Sequence, residues 1–290
     1  MKIGVVFPQT EIGAEPAAVR RYATEVEALG FDYLLAFEHV VGANPDRADG
    51  WSRGVYDYES LFHEPFVLFG YLAALTTRLE FATGILILPQ RQTTLVAKQA
   101  AEVDVLSGGR LRLGVGVGWN GVEYEALGQD FRTRGARQAE QVRLLRELWT
   151  QRLVTFEGRF DRVPDAGIHP LPVQRPIPIW FGGGADATLR RMARLGDGWM
   201  PNAMPLDELA ARLATLRELL RTGGRDPGGF GVDVRIDMRR IGEAEWFETL
   251  ARLKELGTTH VCVNTMGNGF DLDAHLEAVE RFHRVAAQLA

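Results

Sequence analysis

Residues 79–118, LEFATGILILPQRQTTLVAKQAAEVDVLSGGRLRLGVGVG, read as strand, helix, strand. Leu79–Leu88 is almost continuously apolar, Thr94–Leu106 has helical periodicity and runs into Ser107-Gly108-Gly109, and Leu111–Val117 is apolar again. Apolar strands separated by amphipathic helices predict a parallel sheet with helices packed on its outer face. The pattern extends in both directions. Upstream lie a strand at Lys2–Phe7, a helix at Pro16–Leu29 closed by Gly30, a strand at Tyr33–Phe37 and a helix at Pro65–Thr76. Downstream come a helix at Gly135–Thr150, a small hairpin at Leu153–Val163 and a proline-rich connector into a strand at Ile177–Phe181. The remaining units pair strands at Gly198–Met200, Gly231–Ile236 and His260–Val263 with helices at Ala185–Leu195, Leu206–Arg221, Glu243–Leu256 and Asp271–Ala287. Eight strands alternating with eight helices fit a closed (β/α)₈ barrel, the TIM-barrel architecture, better than an open doubly wound sheet, the main rival. The expected organisation is α/β, one domain over residues 1–290. Active-site insertions fall in the loops after strands 2 and 4, at residues 41–60 and 119–133.

Composition narrows the function classes. A net charge of −5 with no basic stripe gives nucleic acid nothing to bind. Apolar runs are too short to cross a bilayer, and Met1 leads straight into a strand, so neither a membrane nor a signal peptide is expected. The lone Cys262 forms no internal disulfide, which suits the cytoplasm.

In such a barrel, chemistry comes from residues just after the strands. Lysine occurs only at Lys2, Lys98 and Lys254, none of them after a strand, which disfavours Schiff-base chemistry. The six histidines show no metal-binding spacing, and no serine sits in a G-x-S-x-G elbow, so no metal site is expected. What remains suits a large planar cofactor that brings its own chemistry. Gly182-Gly183-Gly184 lies between a strand and a helix. It fits either a phosphate cradle, with the Thr188 hydroxyl one turn on, or a flexible turn. Thr83-Gly84 interrupts the third strand, as a bulge, a close ligand approach or a packing glycine would. Gly114, Gly116 and Gly118 share one face of the fourth strand and leave room for a ligand or for packing. Glu38-His39 ends the second strand. His39 is the candidate proton donor or substrate contact, against the commoner fate of a structurally bonded histidine. Trp119 and Asn120 end the fourth strand and are candidates, with Glu38, for the substrate pocket.

Taken in order, KIGVVFP, YLLAFEHV, ATGILILPQRQ (82–92), SGGRLRLGVGVGWNGVEYEALG (107–128), RGAR (134–137) and PIWFGGGADATLRRMARLGDGWMP (178–201) resemble the bacterial luciferase-like superfamily of FMN- and F420-dependent oxidoreductases. Within it the chain resembles the short, stand-alone F420-dependent enzymes. The likeness covers the first 200 residues or so; residues 206–290 carry no motif. The resemblance implies a luciferase-like barrel whose third strand bears a bulge with a non-prolyl cis peptide at Gly84–Ile85. It implies a cofactor ring leaning on Thr83, Gly84 and Ile85 beside Gly116 and Gly118, its phosphate held by Gly182, Gly183, Gly184 and Thr188, and His39 facing the ring. The expected function is hydride transfer between F420 and a small organic substrate. The alternatives are an FMN-dependent monooxygenase, a non-catalytic flavin-binding barrel, and an unrelated barrel using its glycine loop for a sugar phosphate. A homodimer is expected.

Overall fold

In the computed structural model, which describes residues 1–47 and 56–289, a parallel sheet closes on itself. In chain order come β1 (Lys2–Val6), α1 (Pro16–Leu29), β2 (Tyr33–Ala36), α2 (Pro65–Ala73), β3 (Glu80–Thr83), β4 (Leu86–Ile87), α3 (Thr93–Ser107), β5 (Leu111–Gly116), α4 (Gly121–Ala126) and α5 (Arg134–Thr150). They continue with β6 (Val154–Glu157), β7 (Arg162–Ala166), β8 (Ile179–Gly182), α6 (Asp186–Leu195), β9 (Gly198–Met200), α7 (Leu206–Thr222), β10 (Gly231–Asp237), α8 (Trp246–Glu255), β11 (His260–Asn264) and α9 (Leu272–Ala286). β1 pairs with both β2 and β11, and β5 joins β3 and β4 to β8, so no edge is left. β3 and β4 are two halves of one stave. Ala82 faces Arg112 and Leu86 faces Val115, so four steps on the broken stave match three on β5. That extra residue is a bulge. The barrel therefore has the eight parallel staves expected.

Two expectations about connections change. Residues 119–133, read as a loop, hold α4 and a short 3₁₀ turn at Phe131–Thr133. The hairpin runs from Val154 to Ala166, three residues beyond its expected end. Residues 48–55 of the expected loop 41–60 lie outside the described residues.

Strand alternation sorts the side chains into two layers. Leu34 and Ala36 join the apolar layer under the helices, while Tyr33 and Leu35 point into the barrel with Val6, Ala82, Trp180 and Cys262. The inner layer is crowded because it holds an ion pair as well as rings. Arg112 lies 4.4 Å from the ring centres of both Tyr33 and Trp180 and donates to Asp233 at 2.9 Å. The Tyr33 hydroxyl donates to the other Asp233 oxygen at 2.6 Å. Glycine makes the space. A Cβ on Gly4 would lie 2.3 Å from the Tyr33 ring, and one on Gly231 would lie 2.1 Å from Trp180.

His260 sits at the start of β11 against Trp180 and Tyr33, with ring centres 4.8 and 5.6 Å away. Burial, then the positive charges of Arg112, Lys2 and the N-terminus, drives its imidazole down to about 2. Below about pH 6.5 the unfolded chain takes up a proton at this histidine that the folded chain refuses. Stability is thus undiminished above about pH 6.5 and drains as pH falls toward the folded value. His260→Gln is expected to flatten the acid limb of the urea-midpoint profile between about pH 6.5 and 4.5. Parallel limbs for variant and wild type would show that folding does not exclude the proton.

Candidate active site

The bulge forms the floor of the barrel mouth. The Gly84–Ile85 peptide is cis, at the position expected. The Ile85 side chain fills a slot that β-carbons would close, since one on Gly116 would lie 2.3 Å from Ile85 and one on Gly182 2.7 Å. A small cavity of about 90 Å³ opens against this surface, bounded among others by Gly84, Ile85, Gly182, Gly183 and Asp233. Thr83 stands apart from it. Its side chain is fully buried, and its hydroxyl donates to the Gly114 carbonyl at 2.6 Å, stitching the broken stave to β5. Gly116 and Gly118 make room for Ile85 and Ile87, the packing reading of that glycine row.

Beside the bulge, the segment after β2 carries the acid–base groups. Glu38 is buried; its carboxylate accepts from the Ile87 N–H and from Arg91, whose Nε lies at 2.6 Å. Burial pushes this carboxyl up while Arg91 pulls it down. Glu38 therefore braces β2 against β4, a supporting place and not the pocket wall expected of it. His39 is set differently. Its Nδ1 lies 3.3 Å from Oε2 of Glu123, a residue absent from the sequence-based candidates. Glu123 is fully buried, and its Oε1 accepts from the backbone N–H groups of Val40 and Val41. One carboxylate thus holds both the ring and the chain that carries it. Phe62, Tyr56 and Trp119 surround the ring with centres 4.9, 5.4 and 5.7 Å away, leaving 10% of the His39 side chain exposed.

Asn120 explains how Glu123 gets there. It is buried and caps α4, accepting from Val122 N–H at 3.1 Å and Glu123 N–H at 3.4 Å. Its amide also reaches the Val41 carbonyl at 3.5 Å. Asn120 is therefore a hinge pin between the two long connections. The signal was present in the sequence, because Asn120 three residues before Glu123 is the spacing of a helix start.

The glycine run lies on the next part of the rim. Gly183 has φ of 100°, which a side chain would resist. Its peptide is anchored to β9 on both sides: the N–H donates to the Met200 carbonyl at 3.3 Å, and the carbonyl accepts from Trp199 Nε1 at 2.6 Å. The turn is a fixed one, and the Gly183 N–H already has a partner. The free donors lie one step on. Gly184, Ala185, Asp186 and Ala187 carry backbone N–H groups with no partner among the described residues, and α6 starts without a side-chain cap. Glu64, Asn120 and Asp271 supply such caps to α2, α4 and α9. A Cβ on Gly183 would lie 3.7 Å from the Thr188 methyl, which puts Thr188 beside the same rim. Uncapped donors at the positive end of a helix fit a phosphate group.

Comparison with known proteins agrees with this geometry. The sequence pattern of the family described as luciferase-like monooxygenase matches residues 1–239. An uncharacterized protein of Mycobacterium tuberculosis is 43% identical over 164 residues, which is 57% of this chain and 56% of the relative's length. The F420-dependent glucose-6-phosphate dehydrogenase of Segniliparus rotundus is 30% identical over 77% of this chain and 64% of its own. The FMNH(2)-dependent dimethylsulfone monooxygenase of Pseudomonas putida is 30% identical over 71% and 54%. The aligned part therefore spans little more than half to two thirds of these relatives. Among solved structures, a monooxygenase from Streptomyces bottropensis superposes over 100% of this chain and 99% of its own with a TM-score of 0.81 at 20% identity. An F420-dependent secondary alcohol dehydrogenase does so over 97% and 98% with a TM-score of 0.76 at 18% identity. At such identities the superpositions speak for the fold alone. The family match over most of the chain, on a barrel with this bulge and this helix N-terminus, makes the protein a member of the luciferase-like monooxygenase family, whose relatives are F420- or FMN-dependent oxidoreductases.

Proposed function

We propose that the chain is an F420-dependent oxidoreductase that moves a hydride between the deazaflavin and a small organic substrate, with His39 exchanging the accompanying proton. The Glu123–His39 pair at the end of β2 carries this reading. When an alcohol carbon loses hydride its oxygen must lose a proton, so a positioned base is needed. Glu123 accepts at Nδ1, which fixes the tautomer and leaves Nε2 as the atom that takes or returns the proton. Rings of Tyr56, Phe62 and Trp119 pack around the imidazole and leave 10% of the side chain open. When bound, the cofactor supplies the two-electron carrier that no side chain offers. The chain would hold its phosphate with the N–H groups of Gly184 through Ala187, the Thr188 hydroxyl adding a donor, and would support its ring on Gly84 and Ile85. The same cradle serves FMN, and the likeness to the dimethylsulfone monooxygenase favours an FMN-dependent monooxygenase as the second reading.

Titration of the purified full chain with F420 and with FMN, followed by tryptophan fluorescence, separates the two. Tighter binding of F420, with reduction of bound F420 by an alcohol, is expected. Binding of FMN alone would replace the first reading with the second. Ala185→Pro tests the cradle. Residue 185 already has φ of −65°, so proline removes one N–H without altering the backbone. Loss of one charge-assisted hydrogen bond should weaken cofactor affinity about 10- to 100-fold. Unchanged affinity would remove the helix N-terminus from the cofactor site.

A further inference from the structure

The small cavity on the bulge adjoins a larger one. A cavity of about 380 Å³ lies between β10 and the helices α7 and α8, and the two share Pro201, Asn202 and Arg235 as lining. The larger cavity is walled mainly by apolar groups, among them Met204, Leu209, Val234, Ile236 and Leu253. Its volume falls in the range of small-molecule sites.

Arg235 stands at the junction, half-buried, with its guanidinium 5.0 Å from the ring centre of Phe37. The acidic groups around it are committed elsewhere. Asp233 is taken by Arg112 and Tyr33, and Asp237 by Arg239, whose Nη2 lies at 2.6 Å. Among the described residues Arg235 has neither a carboxylate within ion-pair distance nor a side-chain hydrogen bond. None of its nitrogens is sealed from solvent, so its five N–H donors face the open junction with no protein acceptor. The charge is felt across the mouth: Arg235 pulls the Tyr56 hydroxyl down against the rise due to burial. The Tyr56 ring in turn lies 5.4 Å from that of His39. Tyr56 thus lies within reach of both the Arg235 charge and the His39 ring.

We propose that Arg235 and the cavity beside it form the substrate subsite, and that the substrate is an amphipathic anion: a carboxylate or similar acid group on Arg235, with an aliphatic body in the cavity between β10, α7 and α8. Calling this ligand the substrate rests on the oxidoreductase reading above; its binding does not. Apolar walls suit a hydrocarbon body, and a planar fork of donors suits a carboxylate. The acid group is thereby placed at the junction, close to the bulge, and the aliphatic body between β10, α7 and α8.

The full chain without cofactor is titrated calorimetrically with butanoate, hexanoate and octanoate, and with octan-1-ol as the uncharged control. Each added methylene should tighten binding about fourfold, and octanoate should bind at least about tenfold more tightly than the alcohol. Arg235→Met should erase the advantage of the acid, and Arg235→Lys should keep part of it. Thr249→Phe, which fills the cavity from α8, should flatten the chain-length series and leave butanoate unchanged. Equal binding of octanoate and octan-1-ol, no chain-length dependence, or full octanoate affinity in a folded Arg235→Met variant would each overturn the proposal. Cofactor titration runs alongside. Cofactor binding without octanoate binding overturns the subsite alone, whereas the full octanoate pattern without either cofactor supports the anion site and removes the oxidoreductase reading.

Discussion

His39→Ala should lower turnover about 10²- to 10⁴-fold while leaving cofactor affinity within a few-fold of wild type. The first figure is the usual contribution of a positioned general acid or base. The second follows from the layout, because the N–H groups proposed to hold the phosphate lie at the start of α6 and the bulge lies on the neighbouring stave. Glu123→Gln sharpens the result. It keeps the size of the side chain and an acceptor oxygen but can present an N–H to Nδ1, which moves the histidine proton to Nε2. Turnover should then fall between about tenfold and 10⁴-fold, the upper figure being the loss when an amide replaces the orienting carboxylate of a Ser-His-Asp triad. The pH dependence of turnover should also change shape. A His39→Ala enzyme as active as wild type would make the histidine a wall residue. A Glu123→Gln variant that loses activity only through lower melting temperature, with an unaltered pH profile, would confine Glu123 to holding Val40 and Val41.

The largest stability effect is expected in the barrel interior. Arg112→Met leaves the Asp233 carboxylate buried without its counter-charge. Breaking a buried pair by removing one partner costs about 3–5 kcal/mol. Burial raises the Asp233 carboxyl, and Arg112 is the leading influence holding it down, so the variant should also lose stability more steeply as pH rises through the new, higher value. The sign follows because the folded state then holds a proton that the unfolded state releases. Replacing both partners, Arg112→Met with Asp233→Leu, should recover most of the loss, since the pair is stabilising only relative to its broken form. Urea denaturation of the three proteins measures all of this. A single-variant cost below about 1 kcal/mol would mean that water reaches Asp233 and that the network is not sealed.

Much of this molecule is local in origin. The alternation of short apolar strands and amphipathic helices is written in windows of ten to fifteen residues, so the eight staves and their helices were legible to within a few residues. Pro16 and Gly30 mark the ends of α1 for the same reason: one fixes φ at the start, and the other adopts φ of 97° at the end. The cis bond at Gly84–Ile85 was expected from a motif and not from energetics, since nothing in LEFATGILIL by itself favours that conformer. The short helix α4 was hidden in a polar stretch because six residues give periodicity too little length to show. What only the tertiary structure decided are the encounters between distant residues. His39 meets Glu123 across 84 positions, and Arg112 meets Asp233 across 121. Closure of the sheet brings these pairs together, and no spacing rule within a segment encodes which strand ends will share a rim. Gly116 reads in the sequence as a possible ligand contact and in the fold as the space that Ile85 occupies. Arg235 reads as one arginine among many, and becomes notable only when the barrel places Asp233 and Asp237, on either side of it in β10, against other partners.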